Sequence, residues 1–104
     1  MANAQLDRLL RLAIAERRLV SLTYQGCPRI GEPHDYGARN GKDQVNFFQI
    51  GGVSRSSPLP TWRTLDATGI TLIEVLDQHF AGTRETPSGR HLKWDRLYAT
   101  VTPR

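Results

Sequence analysis

Three arginines and three aromatic residues in the first two thirds of the chain have the types and spacing of an anion-binding site. Arg29, Arg55 and Arg63 fall in loops or at the ends of predicted strands, where their side chains can converge at one end of a small sheet. A guanidinium group is planar and forms paired hydrogen bonds with phosphate or carboxylate oxygens. Tyr24, Tyr36 and Trp62 lie near these arginines in sequence and can stack on a base or another ring. Together they predict a pocket for a phosphate-bearing ligand.

The loop before the predicted fourth strand supplies further polar groups. Ser54 and the two serines after Arg55 add hydroxyl and backbone N–H groups suited to phosphate oxygens. Each feature also has an ordinary structural explanation, since aromatic residues commonly fill cores and a loop arginine is commonly solvated. Arg63 is the strongest candidate, because it lies beside Trp62 on a predicted strand and a half-buried arginine usually requires a partner.

Metal binding and catalysis have weaker support. Cys27 and the three histidines (His34, His79, His91) show no paired ligand spacing. His34 and Asp35 are adjacent, and adjacent residues of a strand point to opposite faces, so they do not make a base and its orienting carboxylate. We therefore expect no metal, no cofactor and no enzymatic activity. A small hydrolase that uses Cys27 or His34 is the least favoured alternative.

Length and charge narrow the class of protein. With 104 residues, the chain is expected to form one domain, residues 1–104. Twelve of its fourteen basic residues are arginine, which agrees with an anionic partner and equally with a GC-rich genome. The net charge of +4 divides evenly between the two halves, so no basic tail is expected to bind nucleic acid without regard to sequence. The absence of a long apolar run or a signal-peptide core predicts a cytoplasmic protein without membrane contact.

Hydrophobic periodicity predicts a mainly β (α+β) fold. An apolar stripe at helical spacing predicts a helix over residues 3–18 with Asn3 as its N-cap. Alternating and apolar runs predict five strands: 19–24, 29–34 (ended or moved to a sheet edge by Pro33), 44–50, 62–66 and a central or barrel-forming strand at 70–76. Asn40-Gly41 predicts a tight hairpin. The spacing of Trp94, Leu97, Tyr98 and Val101 suggests a short C-terminal helix.

These elements fit a small five-stranded antiparallel barrel of the Sm-like or SH3-like kind. Five short strands bury little surface unless they curl and close. The barrel would span residues 19–80, preceded by the helix at 3–18 and followed by a C-terminal extension at 81–104. Crossover helices are missing, which excludes a βαβ array.

The order of several motifs resembles the WYL domain family over about residues 6 to 84. The matching runs are Val20-Ser21-Leu22-Thr23-Tyr24, Arg29-Ile30-Gly31-Glu32-Pro33 and Trp62-Arg63-Thr64-Leu65. The run from Phe48 to Ser54 is similar to that of short stand-alone WYL-like bacterial proteins. The Trp-Tyr-Leu triplet itself is replaced near Asn46-Phe47-Phe48, and one helix, rather than a helix-turn-helix, precedes the strands.

The resemblance implies a regulatory, Sm-like ligand sensor for a nucleotide or nucleic acid. By position, Tyr24, Arg29, His34 and Arg63 match the polar pocket of the family, and Gln49 and Ser54 match the stand-alone subgroup. With Arg55 and Trp62 from the residue-level argument, they form the predicted ligand-binding set. The alternative is a protein–protein interaction module that binds a regulatory partner or forms a homodimer, without a small-molecule ligand.

Overall fold

In a computed structural model, the chain folds into an N-terminal helix and an antiparallel sheet, and the structure describes residues 3–54, 58–82 and 93–101. Within those ranges the elements are α1 (Ala4–Glu16), β1 (Arg18–Tyr24), β2 (Cys27–Arg39), β3 (Lys42–Gly52), β4 (Thr61–Asp66), a 3-10 turn (Ala67–Gly69), β5 (Ile70–His79) and β6 (Arg96–Thr100). The predicted mainly β class with an N-terminal helix is confirmed. In the described part of the chain, no helix is long and apolar enough to span a membrane.

Helix α1 begins where the sequence predicts it and ends two residues early. The Asn3 side chain accepts a hydrogen bond from the Leu6 backbone N–H at 2.8 Å, which caps the first turn. Arg17 then adopts a left-handed conformation with φ of 54°, and its N–H bonds back to the last turn. The chain therefore turns sharply, and Arg18 becomes the first residue of β1. The buried stripe of α1 is Leu6, Leu10, Ala13 and Ile14.

The strands form one sheet in the order β4-β3-β2-β1-β5, and β6 pairs with β2. The predicted hairpin at Asn40-Gly41 is confirmed, with φ of 55° and 78° at the two residues. The prediction that the fifth strand is central was wrong. β5 lies at the end of the strand order, and only Ile70 in it is buried, whereas Leu72 is 82% exposed. Among the described residues no ladder joins β4 to β5, so the sheet is not closed into a barrel.

Pro33 does not end β2, contrary to the sequence prediction. β2 continues through it to Arg39 and remains paired with β3. On the other edge of β2, pairing with β1 stops at Gly31 and pairing with β6 starts at Asp35. Pro33 lies in the gap between these two neighbours, where no ladder needs its missing N–H. The strand is therefore long and irregular rather than broken.

The predicted C-terminal helix is also wrong, because residues 96–100 form strand β6. β2 extends beyond β1. The backbone N–H and C=O groups from Asp35 to Ala38, which β1 does not reach, pair with β6 instead. Gly37 permits this close approach, since a Cβ there would lie 2.4 Å from the Arg96 carbonyl oxygen. The helical spacing around Leu97 covers too few turns to compete with a complete strand ladder.

The hydrophobic core lies between α1 and one face of the sheet, which we call the core face. Its sheet residues include Val20, Leu22, Val45, Phe47 and Leu65, all of them buried. Residues directly opposite each other on paired strands share a face. Arg29 lies opposite Leu22, and Arg63 lies opposite Phe47. Both arginines therefore belong to the core face.

Candidate anion-binding site

Gln49 is the buried polar centre of the predicted site. Its side chain is fully buried, and its Oε1 accepts a hydrogen bond from Arg29 Nη1 at 2.9 Å. Its Nε2 donates to the carbonyl oxygens of Gly51 at 3.0 Å and Val53 at 2.8 Å. The Val53 N–H in turn donates to the Pro28 carbonyl at 2.8 Å. One amide thus holds the arginine and the segment after β3 in fixed positions.

Arg29 is a half-buried cation whose partners are neutral. Its guanidinium carbon lies 5.5 Å from the centre of the Tyr24 ring, a cation–π distance. Within the described residues it forms no ion pair with an aspartate or glutamate. Its Nε is buried and has no hydrogen-bond partner there. A partly desolvated charge without a countercharge favours the approach of an anion.

Arg63 and Ser54 extend this polar end of the core face. Arg63 is half-buried, as predicted, and its Nη2 donates to the Ser54 hydroxyl oxygen at 2.5 Å. Ser54 directly follows Val53, the residue that Gln49 holds. The Tyr24 hydroxyl accepts a hydrogen bond from the Asp66 N–H at 3.0 Å, which fixes the ring beside Arg29.

The structure therefore brings five of the predicted site residues to this end of the core face: Tyr24, Arg29, Gln49, Ser54 and Arg63. We call them the arginine cluster. The segment from Gly51 to Ser54 connects its two halves, because it is bonded to Gln49 at one end and to Arg63 at the other.

His34 and Trp62 lie on the opposite face of the sheet. Trp62 is opposite Phe48, and their ring centres are 5.0 Å apart. The His34 ring is 2% exposed, lies 4.8 Å from the Trp62 ring, and its Nε2 is 3.0 Å from Glu32 Oε1. Phe80 covers it at 5.1 Å. These two residues belong to a packed aromatic layer on the face opposite to that of the arginine cluster. The eighth predicted residue, Arg55, lies outside the described residues.

A second polar group was not predicted from the sequence, and it contains Tyr36, which was predicted to stack on a ligand but is buried here. Tyr36 donates its hydroxyl proton to Asp7, and Tyr98 donates to Asp43, both at 2.8 Å. Arg11 lies 5.2 Å from the centre of the Tyr98 ring and bonds to Asp7. They line a groove of about 460 Å³ between α1 and the strands. Tyr98 was missed because the helical spacing of Trp94, Leu97, Tyr98 and Val101 concealed strand β6.

The surroundings of Tyr36 and Asp7 shift the pKa values of both side chains. Burial, together with the hydrogen bond to Asp7, raises the pKa of Tyr36 well above its usual value. Burial alone would raise the pKa of Asp7, but hydrogen bonds from Arg11 and Tyr36 outweigh it and hold that pKa below its ordinary value. Asp7, Arg11 and Tyr36 therefore satisfy one another's hydrogen bonds at neutral pH, in contrast to Arg29.

Metal chemistry finds no support in residues 3–54, 58–82 and 93–101, where no three His, Cys, Asp or Glu side chains come together. No protein-family profile, no curated protein sequence and no solved structure matches the chain significantly. The function is therefore inferred from the geometry of the arginine cluster.

Proposed function

We propose that the chain is a non-enzymatic binding module that holds a phosphate group of a nucleotide or a nucleic-acid end at the arginine cluster. One observation carries the proposal: Arg29 is half-buried and is held by the neutral Gln49 amide and the Tyr24 ring rather than by a carboxylate. A structural arginine in such a position usually has an acidic partner. A phosphate would supply the missing charge and accept paired hydrogen bonds.

Each member of the cluster has a role in this proposal. Arg29 and Arg63 bind the phosphate oxygens, and Tyr24 orients Arg29 through its ring. Gln49 sets the position of the Arg29 guanidinium through a single hydrogen bond, which leaves other N–H groups of Arg29 for the ligand. Ser54 adds a hydroxyl group next to Arg63.

We further propose that the chain is a regulatory WYL-like module and that its sheet curls in the manner of Sm-like barrels. One contact supports the curl. The Tyr24 hydroxyl at the end of β1 accepts a hydrogen bond from the Asp66 N–H at the end of β4. Strands at distant places in the sheet order thus approach each other at the arginine cluster.

The proposal is tested by the affinity of the chain for two versions of one short oligonucleotide, one with a 5′-phosphate and one with a 5′-hydroxyl. We expect tighter binding of the phosphorylated version and a decline in affinity as salt rises. Arg29→Gln should weaken binding roughly tenfold or more, because a charge-assisted hydrogen bond contributes about 1.5–3 kcal/mol. Arg8→Gln removes an equal charge from the exposed side of α1 and is the matched control.

Two results would contradict the proposal. One is equal affinity for the two oligonucleotides. The other is an Arg29→Gln variant that remains folded and loses no more affinity than Arg8→Gln, since binding would then depend on net charge alone.

A further inference from the structure

The chain contains three phenylalanines, three tyrosines and two tryptophans, and all of them lie among the described residues. Their positions decide whether a base could stack beside the arginine cluster, since proteins commonly hold an unpaired base against an aromatic ring. Of these side chains, Tyr24 alone belongs to the cluster. The others lie elsewhere or are buried: Phe48, Trp62 and Phe80 belong to the aromatic layer with His34, Tyr36 and Tyr98 line the groove beside α1, Trp94 lies against Gly37, and Phe47 is fully buried.

The Tyr24 ring is already enclosed by its own chain. Arg29 lies over it, with the guanidinium carbon 5.5 Å from the ring centre. Gly69 packs against it so closely that a Cβ there would lie 2.8 Å from the ring atom Cε1. The hydroxyl accepts the Asp66 N–H, and the side chain packs against the hydrophobic core. The ring therefore positions Arg29 and leaves no face on which a base could stack.

The amide and carboxylate groups near the cluster are also committed to the chain itself. A glutamine reads a base edge through both ends of its amide, but Gln49 is fully buried and uses both ends on Arg29, Gly51 and Val53. A carboxylate can bind a ribose hydroxyl, but that of Asp66 accepts a hydrogen bond from Gln44 Nε2 at 2.7 Å and lies 3.7 Å from Lys42 Nζ. Neither group is left to recognise a nucleoside.

We propose that the arginine cluster recognises only the terminal phosphate of a nucleic-acid strand, leaves the nucleoside in solvent, and binds strands with any end base equally. This inference rests on the proposed function and narrows its ligand. Phosphate oxygens match the donors of Arg29 and Arg63 and are the same at every strand end. A site that does not read the base cannot distinguish one free nucleotide from another, whereas it suits a strand end, whose base varies.

The test uses the full chain and short single strands that carry a 5′-phosphate and a 3′ fluorophore. The strands differ only at the first residue, which is A, C, G, T or an abasic sugar. Dissociation constants from fluorescence anisotropy should agree within about twofold, whereas a stacked base would strengthen binding over the abasic strand by roughly 5- to 150-fold. The same strands with a 5′-hydroxyl should all bind more weakly, and free mononucleotides of the four bases should compete equally.

Tyr24→Leu separates the positioning of Arg29 from the stacking of a base. Because the ring acts through Arg29, this variant should weaken the binding of base-bearing and abasic strands by the same factor. Trp62→Leu is the matched control, since it removes an aromatic ring from the opposite face and should leave both affinities unchanged. The strand series on the unmodified chain decides the question even where a variant fails to fold.

Three results would overturn the inference while a preference for the 5′-phosphate keeps the proposed function. Base-bearing strands bind at least about fivefold more tightly than the abasic strand, or Tyr24→Leu weakens only the base-bearing strands, or one mononucleotide competes at least about tenfold better than the other three. The last result would identify a sensor of one nucleotide. If the 5′-phosphate makes no difference to any strand, the proposed function fails and this inference fails with it.

Discussion

Replacing Gln49 tests how much of the fold depends on one buried amide. Gln49→Met preserves the length and approximate volume of the side chain, so the change in packing is small. It removes the donor to two backbone carbonyls and the acceptor for a guanidinium N–H. Each neutral hydrogen bond contributes about 0.5–1.5 kcal/mol and the charged one about 1.5–3 kcal/mol. Their sum, roughly 2.5–6 kcal/mol, leads us to expect a loss of about 3 kcal/mol or more.

The assay is urea unfolding followed by tryptophan fluorescence. For a small domain with a slope of about 1–2 kcal/mol per molar urea, this loss lowers the midpoint by roughly 1.5–3 M with an unchanged slope. Gln78→Met is the matched control, because Gln78 is exposed on β5, and it should change stability by no more than about 0.5 kcal/mol. A loss below about 1 kcal/mol in Gln49→Met would refute the view that this amide organises the arginine cluster.

Gln49→Glu separates the two halves of the same network. The introduced carboxylate would attract Arg29, but it would also face the carbonyl oxygens of Gly51 and Val53 without a proton to donate. We expect the variant to be destabilised at neutral pH and to recover relative to the unmodified chain as the pH falls and the carboxyl group is protonated. Equal stability of the two proteins at every pH would show that the segment after β3 does not need the amide donor.

Two further predictions concern the core and the tyrosine groove. Gly31→Ala should lower the free energy of unfolding by roughly 2 kcal/mol or more, measured by urea unfolding. The new Cβ would lie 2.4 Å from the Phe48 carbonyl oxygen, which the β2–β3 ladder holds in place. A loss under about 0.5 kcal/mol would contradict the close strand packing. The raised pKa of Tyr36 means that the unfolded chain releases the phenol proton near pH 10 while the folded chain retains it, so the contribution of Tyr36 to the free energy of unfolding should be constant below about pH 9 and fall above it. Tyr36→Phe should lower the free energy of unfolding by about 1 kcal/mol at pH 7, because the hydrogen bond to Asp7 is lost. It should also reduce the decline in stability at high pH. Identical pH profiles for the two proteins would contradict the assignment of that decline to Tyr36.

The local elements of the fold were readable from the sequence, whereas its long-range pairing was not. The Asn3 cap, the α1 stripe and the Asn40-Gly41 hairpin depend on neighbouring residues, which a sequence displays directly. The continuation of β2 through Pro33 depends on a gap between β1 and a strand some 60 residues away in the chain. No local pattern around Pro33 contains that information.

In the candidate site, too, some side-chain positions follow from the local sequence and others depend on long-range strand pairing. Arg29 and Arg63 are on the core face, as their predicted convergence requires, and Gln49 lies between β2 and the segment that leads toward Arg63. Trp62 follows a simple rule, since it is adjacent to Arg63 in a strand and must point to the other face. The face of His34 could not be read in this way, because the register of β2 shifts between Pro33 and Asp35, and a shift of one residue reverses the faces.

The gap at Pro33 also has a consequence for local unfolding. β6 and β1 occupy separate stretches of one edge of β2, so β6 can detach without breaking a β1–β2 hydrogen bond. Its departure would remove Tyr98 from the ring of Tyr36 and release Arg11 from the Tyr98 carbonyl, while β1 to β5 remain joined. We therefore expect β6 to open as a separate cooperative unit, with amide protons that exchange with solvent at a lower opening free energy than those of the rest of the sheet.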